Sequence, residues 1–167
     1  MTSVKYEEQK SLLLKAGTLY EQRGELENSV KYFLEANAYP QAASVMERLG
    51  LDLLRQGRVG DLSKWLLSLP NGTIQQNPWL LFYLAMTRRF MGGRENLVAF
   101  DKAYTLFKRQ GNVRGTFLAL AQLIQESVQA GIHFRPIESL IEEGEGLFRQ
   151  LELNEYAYEE VVVWYFI

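Results

Sequence analysis

The chain has 167 residues, 47% of them hydrophobic, a formal net charge of −2 and no cysteine. That is enough apolar material for one continuous core. It excludes a disulfide framework and a thiolate metal site, and the lack of a basic block disfavours a nucleic-acid surface. No apolar run is long enough to span a bilayer and no signal-like run opens the chain, so a soluble cytoplasmic protein is the expectation.

Residues 1–6 read as a frayed start. A first helix is expected over about 7–22 and a second over about 25–37, with Gly24-Glu25-Leu26 as the turn between them. Ala16 and Gly17 on the first helix are small enough for two helix backbones to approach closely, with Tyr20 and Phe33 filling the space beside them. Tyr39-Pro40 closes this pair, and Pro40 suits the first turn of the next helix. Helices follow over about 41–56 and 59–68, with Gly57 in the turn. Leu69-Pro70-Asn71-Gly72 is a stop followed by turn chemistry, and the link to Asn77-Pro78 reads as a loop. Asn77 suits an N-cap, with Pro78 at the first helical position. A helix then runs from Trp79 to Met91, turns at Gly92-Gly93 and is answered by one from Arg94 to Gln110. Val113 to Ala130 is long and poorly charged, so both its faces should be covered. Gly131 to Pro136 is a connector, and Ile137 to Leu151 is an acidic amphipathic helix.

Gly24 and Gly57 are 33 residues apart, and Gly92 follows after another 35. This order of small residues, turn glycines and aromatics resembles the tetratricopeptide repeat, whose period is about 34. The fold class that follows is all-α: a right-handed superhelical array of antiparallel helix pairs. A single helical-repeat domain is expected over 1–167, with repeats at about 8–39, 40–72, 77–111 and 113–151 and an unpaired helix over 154–167.

A closer resemblance rests on longer stretches. KAGTLYEQRGELENSVKYFLEANAYPQAASVME, LLRQGRVGDLSKWLLSLP, NPWLLFYLAMTRRF and FDKAYTLFKRQGNVRGTFLALAQLI are similar to the helical-repeat region of MalT-like, LuxR-type transcriptional regulators with an ATP-binding (STAND) module. The likeness covers roughly Leu12 to Leu151. It implies a cytoplasmic bacterial regulator segment that senses a small-molecule inducer or a regulatory protein and relays that state to ATPase and DNA-binding modules of a parent chain. Neither a G-x-x-x-x-G-K-[ST] loop nor a C-terminal helix-turn-helix stands in this sequence. The family's ligand residues are not defined by a motif, so none is carried over. A stand-alone scaffold that binds a protein segment is the alternative reading.

Spacing offers no nucleophile–base–acid set, so no enzyme and no cofactor are expected. His133, the single histidine, lacks partners at metal-ligand spacing and reads as a loop residue. Glu142, Glu143 and Glu145 read as a solvated helix face. The better lead is geometric, because the first helix of each repeat lines the concave face of such arrays. That face would carry Thr18 and Glu21, then Leu51 and Arg55, then Trp79, Phe82, Met86, Arg89 and Phe90, and finally Gln122, Gln125 and Glu126. The stripe of aromatics, methionine and arginine after Trp79 suits stacking and the gripping of an anion. The competing reading is that these aromatics pack against neighbouring helices.

The last segment, Val161 to Ile167, is β-branched and aromatic, which taken alone favours a strand. The repeat phase instead calls for a helix over about 155–164, with an apolar face that a second copy of the chain would cover.

Overall fold

A computed structural model of the chain describes residues 2–89, 94–131 and 136–152. Among these residues there are nine helices and no strand: α1 (Thr2–Gln22), α2 (Leu26–Glu35), α3 (Tyr39–Arg55), α4 (Val59–Leu67), α5 (Asn71–Gln76), α6 (Pro78–Arg88), α7 (Arg94–Arg109), α8 (Val113–Ala130) and α9 (Ile137–Glu152). The all-α expectation holds. The contacts divide the chain into two compact units, Met1–Gln76 and Asn77–Ile167.

One turn design recurs. After α1, the Gly24 amide donates to the Glu21 carbonyl at 3.0 Å and the Glu25 amide to the Tyr20 carbonyl at 2.9 Å. The same two bonds close α2, where the Asn37 and Ala38 amides donate to the Leu34 and Phe33 carbonyls. They close α3 through the Gly57 and Arg58 amides, and α7 through those of Gly111 and Asn112. This is the Schellman cap, which satisfies the last helical carbonyls and needs a left-handed residue at its corner. Gly24 and Gly57 supply it at φ 76° and 70°, and Asn37 does so at 54°. Asparagine tolerates that region better than other side chains do, so a turn forms where the sequence shows no glycine.

In the first unit, α1 packs on α2, α2 on α3, and α3 on α4 and α5. A Cβ on Gly17 would lie 2.7 Å from the Phe33 ring, so glycine is what lets α1 and α2 close. Val30, Phe33, Val45, Met46, Leu62 and Leu66 form the buried interior. Two ion pairs cross between helices of successive pairs. Arg48 on α3 reaches Glu21 on α1, and Arg58, the N-cap of α4, grips Glu27 of α2 with its two terminal guanidinium nitrogens at 2.5 and 2.8 Å. Both are partly solvated and contribute little energy.

The link after Leu69 differs from expectation, because residues 71–76 form α5 rather than a loop. The Pro70 carbonyl accepts from the Thr73 and Ile74 amides, and Ile74 is buried. One apolar anchor a turn after proline is enough to coil the segment. Gly92, His133 and the segment 153–167 lie outside the described residues, as do the turn, loop and C-terminal helix expected there.

In the second unit, α7 packs on α6 and on α8, and α8 on α9. A Cβ on Gly115 would stand 2.4 Å from the Phe107 ring, the same glycine-against-phenylalanine closure seen at Gly17. At the far end, Phe117 and Leu151 pack with Val113, Leu147 and Phe148. Glu143 is not part of a solvated face. It accepts from the Tyr104 hydroxyl at 2.7 Å and from Lys108 Nζ at 2.6 Å, tying α9 to α7.

Candidate functional site

Helix α6 begins as the sequence expects: Asn77 Oδ1 accepts from the Leu80 amide at 3.2 Å, and proline occupies the first turn. Its aromatic stripe then turns inward. The Phe82 ring is fully buried, 5.8 Å from the Phe100 ring and 6.2 Å from that of Trp79. Trp79 in turn meets Phe107 edge-on at 4.8 Å. Met86 is buried as well. Phe82 and Met86 are therefore interior residues that give no surface to a ligand. The reason is that α7 presents Phe100 and Phe107 to the same face. Arg55 lies in the first unit and pairs with Asp52 of its own helix at 3.1 Å. Leu51 is buried, and the Thr18 hydroxyl donates to the Leu14 carbonyl. Phe90 falls outside the described residues.

What the second unit does bring together is polar. Arg89 is the C-cap of α6, its amide bonded to the Met86 carbonyl. Its Nε stands 3.9 Å from Glu126 Oε1 on α8, close enough for charge attraction and too far for a hydrogen bond. Helix α8 is set in place by Asn112, whose Oδ1 accepts from the Gly115 amide at 2.8 Å. Gln122 and Glu126, four residues apart, share one face of α8. They are 2% and 4% exposed, and neither Oε1 has a hydrogen-bond partner. Asn96, in the first turn of α7, is also buried, with its Nδ2 unpartnered. Because α7 and α8 form an antiparallel hairpin, the first turn of α7 lies toward the end of α8 that carries Glu126. Gln125 is half-buried beside them.

Such groups are costly. Each buried polar atom left without a partner forfeits about 1–3 kcal/mol. Burial pushes the Glu126 carboxyl above the ordinary glutamate range, and the Arg89 charge offsets this in part. Arg89, Glu126 and, one turn along α8, Gln122 make a group of one guanidinium, one carboxylate and one carboxamide. It can bind, polarise or exchange a proton. Among the described residues no group of three or more His, Cys, Asp or Glu side chains is placed to hold a metal ion. No described helix is long and apolar enough to cross a membrane.

The sequence names Arg89, Gln122, Gln125 and Glu126, but as exposed groups on a groove wall. The signal for burial was present: Gln122 and Glu126 interrupt the otherwise apolar face of a helix covered on several sides.

Comparison with known proteins gives one partial likeness. Over 80 residues, 47% of this chain, the sequence is 38% identical to the HTH-type transcriptional regulator AlkS of Ectopseudomonas oleovorans. The match spans 9% of that protein's length, so the chain corresponds to a small part of it. No family model matches the chain. No solved structure matches it either.

Proposed function

We propose that this chain is a non-catalytic, ligand- or partner-sensing helical-repeat segment of a bacterial LuxR-type transcriptional regulator acting in the cytoplasm. The observation that carries the reading is the 38% identity to a segment of an HTH-type transcriptional regulator. The recurring Schellman turn after α1, α2, α3 and α7 supports a tetratricopeptide-like array, here taken as a right-handed superhelix of antiparallel pairs. In this reading ATPase and DNA-binding modules belong to a parent chain. The segment makes no nucleic-acid contact of its own, and an inducer or regulatory protein shifts its packing between two states. Arg89, Gln122, Gln125 and Glu126 are the groups assigned to that response.

The test is an in-frame deletion of codons 7–151 from the native gene, read by transcription of its target genes. Loss of induced transcription, with the shortened protein still produced, is expected. Unchanged transcription would instead favour a scaffold that binds a protein segment and regulates no gene.

A further inference from the structure

Two acceptor oxygens lie one helical turn apart on the same buried face of α8, Gln122 Oε1 and Glu126 Oε1, and neither receives a hydrogen bond. Residues four apart on a helix are within side-chain reach of each other. While Glu126 is ionised, both oxygens accept and neither can donate. A proton on Glu126 removes the conflict, because the carboxyl then donates through O–H. The ionised form has a different partner: Arg89 Nε at 3.9 Å. We propose that Glu126 is a proton-operated latch on the end of α6: ionised, it holds the Arg89 guanidinium; protonated, it donates to Gln122 Oε1 and lets Arg89 go.

Among the described residues, the charge acting on Glu126 is that of Arg89, the group that faces it from α6. Helix α7 brings the neutral Asn96 to this end, while its Arg94 and Glu95 are exposed. On α9, Glu138 and Glu142 are exposed, and Glu143 is engaged by Tyr104 and Lys108. On α8 itself the neighbours are the neutral Gln122, Gln125 and Ser127. Burial raises the proton affinity of Glu126, which moves the latch toward neutral pH. Since Arg89 caps α6, its release removes the charge link from the end of α6 to α8.

The experiment is a pH titration of the folded chain by NMR. It follows the Glu126 carboxyl carbon and the Arg89 Nε–H signal, with Glu126→Gln for assignment. Both signals should titrate together in the unmodified protein, and the Arg89 step should vanish in Glu126→Gln. The deciding variant is Gln122→Leu. Without an acceptor for its O–H, protonated Glu126 is weakened, and its midpoint should fall by about half to one pH unit. If Gln122 only fills space, an apolar leucine disfavours the charge further and the midpoint rises or stays. That result, or an Arg89 signal that ignores the Glu126 step, would overturn the latch. Gln122→Met, unbranched and of similar length, gives the same readout if the leucine variant does not fold.

Discussion

Phe82 decides between a groove and an interior, and Phe82→Ala is the perturbation that measures it. The ring is fully buried, with the rings of Phe100, Tyr83 and Trp79 at 5.8, 6.0 and 6.2 Å. Truncating a buried phenylalanine costs about 3–5 kcal/mol, made up of lost transfer energy and the cavity left behind. The edge-on contacts place this site toward the upper end, since aromatic pairs add about 0.5–1.5 kcal/mol beyond area. For a protein of this length each kcal/mol lowers the melting temperature by about 2–4 °C, so a drop on the order of 10 °C is expected. Urea unfolding followed by far-UV circular dichroism and tryptophan fluorescence measures it, because Trp79 sits against the altered site. A loss below about 1 kcal/mol would refute the packing argument and return Phe82 to an open face.

The glycines give a second pair of outcomes. Gly115→Ala drives a Cβ to 2.4 Å from the Phe107 ring and should cost about 1–3 kcal/mol, with part recovered when Phe107→Leu is added; no recovery in that double-mutant cycle would contradict the contact. Gly24→Ala meets open space but holds φ at 76°, so its cost, about 1–2 kcal/mol, should come from backbone strain and should not respond to changes in neighbouring side chains. Glu126→Gln tests the buried charge through the pH dependence of stability. A carboxyl raised in the folded state stabilises below its unfolded pKa and loses that contribution as pH rises through the folded value. Glu126→Gln should therefore be the more stable form at neutral pH, with its advantage shrinking as pH falls toward the ordinary glutamate range. A constant difference across that range, measured by urea unfolding at several pH values, would show that Glu126 is not perturbed.

Much of the fold could be read from local chemistry. The turn at Gly24, the N-cap at Asn77 and the extent of α8 depend on a few neighbouring residues, and a sequence displays these directly. The turn at Asn37 was less visible, because asparagine serves many roles and only the bonds to Phe33 and Leu34 reveal its left-handed corner. The site was half legible. Arg89, Gln122 and Glu126 could be named from helical phase, but not whether that face meets water. Phe100 and Phe107 cover the aromatic stripe of α6, and this depends on how α7 rotates against it, which no local rule fixes. Glu143 shows the same limit: its spacing fits a solvated face, and its partners Tyr104 and Lys108 come from a different helix.

The most direct measurement of the central claim is the nucleotide sequence on either side of this coding stretch. The regulator account expects one continuous frame with an ATP-binding module upstream, carrying a G-x-x-x-x-G-K-[ST] loop, and a helix-turn-helix module downstream. A frame that encodes neither module would contradict it.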